Sequence, residues 1–254
     1  WLSLPGGIPS HDTFNRIFAT LPPASLKSIF QAWIGDIMGD DKLVGQLAVD
    51  GKALRATAKG RGANAVHMVN VWSTELGMCV GQQKVADKSN EITAIPELLQ
   101  LLELKGCLVS IDAMGTQVKI ADTILKKSGD YLLAVKDNQP SLNTEVKEQF
   151  QAYWDKNETD VSGHGFTEQF DSEHGRKEHR RCWVLVVDES MPVCQQWKAK
   201  TIIAVQAERI ENGKGYDFVR FYISSRALDA TSALKATRAH WSVESVPQAH
   251  KFAA

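Results

Sequence analysis

Leu47-Ala48-Val49-Asp50-Gly51-Lys52 and Leu108-Val109-Ser110-Ile111-Asp112-Ala113-Met114-Gly115 are the two stretches on which the fold turns. Each is a short apolar run that stops at an aspartate. Runs of this length, bounded by turn residues, read as buried strands. A lone carboxylate inside a sheet is expensive, so each Asp is expected at a strand end, projecting into a cleft. Two such ends side by side make an all-oxygen site that suits Mg²⁺. A plainer reading gives each Asp only a turn-starting role, which strand ends favour. The pair, together with the sequence downstream, favours the metal site.

The flanking pattern supplies the rest of a sheet. Leu43 to Val49 reads as a strand, as do Ala65 to Trp72 and Gly77 to Val85, the last two joined as a hairpin at Glu75-Leu76-Gly77. A helix from Ile92 to Leu104 follows, with Asn90 as its cap and Pro96 in its early turns. Glu91 reads as a first-turn acid that favours the helix N-terminus, not as a catalytic group. Then come the strand Cys107 to Ile111, a helix Gln117 to Lys127 ended by Gly129, and a strand Tyr131 to Val135. Three strands, then helix, strand, helix, strand, is the order of a ribonuclease-H-like mixed sheet with flanking helices, an α/β fold. In that layout the first and fourth strands are neighbours, and their ends carry Asp50 and Asp112.

Upstream, Ser10 to Met38 reads as a small helical unit, capped at Ser10, broken at Leu21-Pro22-Pro23 and resumed near Ser25. Downstream, Leu142 to Trp154 reads as helix. Arg181 to Val187, Thr201 to Ile210 and Phe218 to Ser224 read as strands, and Thr231 to Val243 as a last helix. The expected organisation is a partial N-terminal helical domain at 1–42 and a catalytic domain at 43–254, with a β-rich insertion at about 155–225 before the last helix.

The bulk numbers are ordinary. The chain has 254 residues, 43% hydrophobic and 23% charged, with a formal net charge of -1. Any nucleic-acid contact must therefore come from local basic patches. Cys79, Cys107, Cys182 and Cys194 lack zinc spacing and read as free thiols of a reducing compartment. No run approaches the roughly 18–20 apolar residues of a membrane span. The ends, Trp1-Leu2-Ser3 and Lys251-Phe252-Ala253-Ala254, read as those of a fragment.

Several segments together resemble the H-repeat-associated insertion-sequence transposases of bacteria. They are Ala48 to Lys52, Lys88 to Leu99, Asp112 to Gln117, Asp130 to Lys136 with Asn138-Gln139, His174-Gly175-Arg176, Tyr222 to Ser225, and Arg238 with His240-Trp241-Ser242-Val243-Glu244. The resemblance runs from about Gly7 to Glu244. It implies a DDE transposase in which Asp50, Asp112 and Glu244 are catalytic and hold Mg²⁺, with Mn²⁺ able to substitute. Two ions roughly 3.5 to 4 Å apart activate a water or a DNA 3′-hydroxyl and stabilise the leaving oxygen. Asp50 would bridge both ions, and Asp112 and Glu244 would each hold one. Read without the family, Glu244 is an ordinary solvated helix residue.

The resemblance further implies double-stranded DNA as partner, at insertion-sequence ends and target. It implies a homodimer on that DNA, in the bacterial cytoplasm at the nucleoid, with no membrane. Lys52 and Arg55 follow Asp50, and Lys136, Asn138 and Gln139 lie just past a strand end, so all five are candidate DNA contacts. Arg176 opens the densest cationic cluster, which continues through Lys177, His179, Arg180 and Arg181. Arg238, His240 and Trp241 complete the DNA-contact set. After Glu244 the family pattern continues as helix, with Asn, Leu-His-Trp and a Leu-Asp-Val run, whereas this chain reads Ser245-Val246-Pro247-Gln248. A proline inside a helix costs about 3 kcal/mol, so a second reading stands beside the enzyme: an inactive DNA-binding transposase remnant. A third is a ribonuclease-H-like nuclease that needs no transposon-end sequence.

Overall fold

In the computed structural model, the described residues are 7–38, 45–54, 66–85, 91–156, 165–173, 176–211 and 214–245. The chain divides into two compact units, Trp1–Lys42 and Leu43–Ala254. In the first unit, α1 spans His11–Thr20 and α2 spans Pro23–Met38. Ser10 caps α1, its Oγ accepting from the Thr13 amide at 3.3 Å. The chain turns extended at Leu21, because a residue before proline is pushed out of the helical region.

The second unit is built on one sheet of nine strands. These are β1 (Gln46–Leu54), β2 (Val66–Ser73), β3 (Met78–Val85), β4 (Leu108–Ile111), β5 (Asp130–Val135), β6 (Gly165–Glu173), β7 (Arg176–Val186), β8 (Thr201–Glu211) and β9 (Lys214–Ser224). Their order is β3-β2-β1-β4-β5-β9-β8-β7-β6. β1, β4 and β5 run parallel, and the other pairings are antiparallel. The first and fourth strands are thus neighbours, as the order of elements implies. The β-rich segment is no separate lobe: β9 pairs with β5, so the sheet continues through it.

Helices α3 (Glu91–Gln100), α4 (Val118–Lys126), α5 (Pro140–Lys156) and α6 (Pro192–Gln196) lie toward one face, and α7 (Ala230–Ser245) lies along the other. Under α7, Leu132, Tyr222, Ile203, Val205, Cys182 and Val184 meet Ala233, Leu234 and Ala236. Under α5, Phe150 sits 5.8 Å from Phe221 and 5.6 Å from Trp154, which meets Trp183 edge-on at 5.5 Å. Burying such aromatics contributes about 1.5–3 kcal/mol each.

Several elements differ from the sequence expectation; β7 starts at Arg176 and β9 at Lys214, earlier than expected, and α3 stops at Gln100. β1 runs on to Leu54, so Asp50 lies inside the strand and not on its last residue. The strand Gly165–Glu173 escapes the sequence reading because its polar residues, Glu168, Gln169, Asp171 and Ser172, mask alternation. It is one of the sheet's two edge strands, where charge guards an open edge. Helix α4 closes in a Schellman turn, with Ser128 in the left-handed region (φ 58) and the Gly129 amide bonding to Ile124 O at 3.1 Å. Gly129 is needed for room instead, since a Cβ there would lie 3.0 Å from Leu104 O. The Asn90 cap lies outside the described residues.

All four cysteines are free, and Cys107, Cys182 and Cys194 are buried. Burial pushes the Cys107 thiol up to about 11 and the Cys182 thiol up to about 12. An aromatic disulfide reagent at pH 8 is expected to label these buried thiols only as fast as the protein unfolds, with Cys79 reacting first. Prompt native labelling of Cys107 or Cys182 would contradict the packing. No helix among the described residues is long and apolar enough to cross a membrane.

Candidate active site

The parallel pairing of β1 and β4 ends at Val49 opposite Ile111. Asp50 and Asp112 come next in that register, roughly one interstrand spacing, about 5 Å, apart at Cα. Continued strand alternation would put both carboxylates toward the face that carries Ala48 and Ser110. Asp50 keeps antiparallel pairing with Asn70 on its other side. Asp112 leaves the sheet and caps the 3₁₀ turn Ala113–Gly115, its Oδ1 accepting from the Gly115 amide at 3.3 Å. The turn-starting role is therefore real for Asp112 and absent for Asp50.

A cation already stands beside Asp50. Lys52 Nζ lies 3.5 Å from Asp50 Oδ2, two residues along the same strand and so on the same face. Glu91 sits across the sheet. It opens α3 and is buried, and a Cβ at Gly51 would collide with its carboxylate, so it faces away from the aspartate pair.

The segment after Asp112 is braced from β5 and the start of α5. Thr116 Oγ1 donates to Ala134 O at 2.6 Å, Asn138 Nδ2 to Ala113 O at 2.7 Å, and Gln139 Nε2 to Thr116 O at 2.9 Å. Asn138 and Gln139 thus spend their amides on this loop. Lys136 stays exposed and lines a cleft of about 180 Å³ with Asp112, Lys147, Arg220, His240 and Trp241. Arg220 stacks on the Trp241 ring at 4.6 Å. A larger hollow of about 550 Å³ lies on β6–β9 around Phe170, His179 and Tyr216, and shares no residue with this cleft.

Helix α7 runs along the strands on the aspartate side. Gln46 Nε2 donates to Ala236 O at 2.8 Å and to Ser110 Oγ at 2.8 Å. One helical turn on, His240 Nδ1 lies 3.1 Å from Ser110 Oγ. The next turn carries position 244, on the same helix face as 236 and 240. Its side chain lies outside the described residues, as do Arg55 and the side chain of Arg176. Among the described residues no group of three or more His, Cys, Asp or Glu could hold a metal ion. Residues from Val246 onward, Pro247 included, are likewise outside the described residues.

Arg238 and the cationic cluster, expected at DNA, also have protein partners. Arg238 bonds Gln169 Oε1 at 2.7 Å and pairs with Asp171 at 3.1 Å, tying α7 to β6. The cationic cluster after Arg176 is largely neutralised. Arg180 pairs with Asp171 and Glu178, Arg181 with Glu208, and His179 with Glu168. Those acids come from β6 and β8 as well as β7, so only the sheet pairing reveals them.

His240 is buried, and burial pulls its imidazole below the ordinary histidine range, with the Asp112 carboxylate opposing and Arg220 assisting. The unfolded chain protonates this ring near pH 6.5, while the folded chain resists until lower pH. Between those values the unfolded state binds more protons, so stability falls as pH drops. Urea unfolding at pH 7.5 and 5.5 is expected to show that loss, smaller in His240→Gln. An identical loss in the variant would remove His240 as its source.

The second unit is thus a mixed α/β sheet in which Asp50 and Asp112 follow the last pair of two neighbouring parallel strands. The chain belongs to the Transposase DDE domain family, whose model matches residues 45–251. It is 41% identical to "H repeat-associated putative transposase YhhI" of Escherichia coli (strain K12) over 94% of this chain and 64% of that protein. It is 36% identical to an uncharacterized protein in the dhlA 3′ region of Xanthobacter autotrophicus, over 90% of this chain and 76% of that one. An S-adenosylmethionine-dependent methyltransferase from Clostridium acetobutylicum ATCC 824 aligns at 8% identity over 55% of this chain and 48% of its own, with a TM-score of 0.17, too slight a likeness to define the fold.

Proposed function

We propose that this chain carries a ribonuclease-H-like DDE transposase centre that cuts double-stranded DNA at insertion-sequence ends and joins them to target DNA. The observation that carries the reading is that Asp50 and Asp112 each follow directly on the last pair, Val49 with Ile111, of neighbouring parallel strands. Membership of the Transposase DDE domain family supports it, and the strand order β3-β2-β1-β4-β5 supports the ribonuclease-H-like description.

The donor chemistry fits a hard divalent cation. Asp50, Asp112 and Glu244 would hold it, the cation displacing the Lys52 ammonium that stands beside Asp50. Mg²⁺ bound there would supply charge neutralisation at the scissile phosphate and a more acidic attacking hydroxyl. Asp112, pinned at its turn, holds one oxygen in a fixed direction. Lys136 and Arg220 on the cleft wall attract the phosphate backbone, and Trp241 closes the cleft beside Arg220. Asn138 and Gln139 keep the Asp112 loop in place while DNA binds. Lys52, Arg55 and Arg176 add phosphate contacts, and a homodimer at the nucleoid would hold two ends together.

Mn²⁺ titration followed by electron paramagnetic resonance tests the site. Binding is expected in the native chain and lost in Asp50→Asn and in Asp112→Asn. Undiminished binding in either variant ends the metal reading. End-specific DNA binding with Mn²⁺ bound but no metal-dependent cleavage would identify the inactive remnant instead.

A further inference from the structure

We propose that the buried polar ladder Gln46–Ser110–His240 fixes the register of α7 against β1 and β4, and so holds the turn bearing Glu244 level with Asp50 and Asp112. This rests on the DDE reading above. Most of α7's buried face is small or apolar: Ala230, Ala233, Leu234 and Ala236. Apolar contact is non-directional, and small side chains offer few knobs against sliding. A helix on such a surface can move past its neighbour by one turn, about 5.4 Å.

The ladder opposes that slip. Gln46, Ser110 and His240 are all buried. Gln46 Nε2 donates to both Ser110 Oγ and Ala236 O, and Ser110 Oγ lies nearer to His240 Nδ1 (3.1 Å) than to Leu47 O (3.5 Å). The Ser110–His240 contact holds in either tautomer, because a hydroxyl accepts from a ring N–H as well as it donates to a bare ring nitrogen. A one-turn slip parts Gln46 Nε2 from Ala236 O and His240 Nδ1 from Ser110 Oγ, and leaves the buried imidazole without this hydroxyl partner.

The spacing explains why register matters. Four helix residues rise about 6 Å and two strand residues about 6.6 Å. Ala236 matches the level of Gln46, and His240 matches the level of Ser110. Position 244 then falls level with Asp50 and Asp112. In this arrangement His240 is a positioning residue that acts through the helix.

The test is a cycle on Mn²⁺ affinity, read by electron paramagnetic resonance, with thermal unfolding as control. Ser110→Ala removes a single oxygen, so the chain is expected to fold. It is expected to weaken Mn²⁺ binding about tenfold, the order found when groups that orient metal ligands are lost. Ser110→Thr, which keeps the hydroxyl, is expected to restore it. In a Glu244→Gln background Ser110→Ala is expected to cause no further loss. An equal loss in that background, or no loss in Ser110→Ala where Glu244→Gln does weaken binding, overturns the ladder. Failure of Asp50→Asn to change Mn²⁺ binding would instead overturn the DDE reading itself.

Discussion

Asp50→Asn and Asp112→Asn are each expected to slow cleavage of a labelled insertion-sequence end by about a thousandfold or more. A tenfold change in rate is about 1.4 kcal/mol, and metal-borne stabilisation of transition-state charge is worth several. Asparagine is the informative replacement. It keeps the volume of aspartate, and at 112 it keeps an oxygen able to cap the Gly115 amide, so the turn Ala113–Gly115 survives. Only the charge is removed. At 50 the substitution also removes the carboxylate 3.5 Å from the Lys52 ammonium, so the site carries one negative charge fewer. Binding of the same DNA in chelator, followed by fluorescence anisotropy, is therefore expected to hold or tighten while cleavage falls. Cleavage that persists in either variant sinks the catalytic assignment. A parallel loss of binding would mean that the aspartates shape the DNA surface and do not act on the phosphate.

Phe150→Ala should give the largest loss of stability. Phe150 is fully buried on α5 and touches the aromatic run that crosses the sheet from Phe221 on β9. Trp154 continues that run to Trp183 on β7, and Trp183 meets Phe166 on β6 at 5.4 Å. Truncating a buried Phe to Ala typically costs about 3–5 kcal/mol. For a domain of this size a kilocalorie moves the melting temperature by roughly 2–4 °C, so a drop of about 10 °C is expected. Because β6–β9 and β4–β5 are one sheet, near- and far-ultraviolet circular dichroism should melt together. A separate early transition would show that the β-rich strands fold as their own unit.

Sequence patterns carried much of the architecture because they are local. Val69, Val71, Leu108, Val109 and Ile111 are buried in the strands where their apolar runs place them. The Ser10 cap and the α3–β4–α4–β5 succession follow from capping chemistry and periodicity within a few residues. Strand β6 was illegible because an edge strand needs no second apolar face. The full length of β1 was illegible because Gly51-Lys52-Ala53-Leu54 gains its strand state from pairing with Val69 to Val66, a partner that no local pattern announces.

The candidate site divides in the same way. Asp50 and Asp112 stand out in the chain itself, since an acid that closes an apolar run is conspicuous wherever it lies. What Arg180, Arg181, Arg238 and His240 do is not written locally. Their partners, Asp171, Glu208, Gln169 and Ser110, lie between 9 and 130 residues away. Sequence alone therefore determined most of the elements and marked the two aspartates, because backbone preference and side-chain periodicity act over short range. Tertiary structure alone decided which basic groups are neutralised, which histidine is buried, and how α7 is registered against the aspartate pair, because burial and charge pairing depend on what the folded sheet brings alongside.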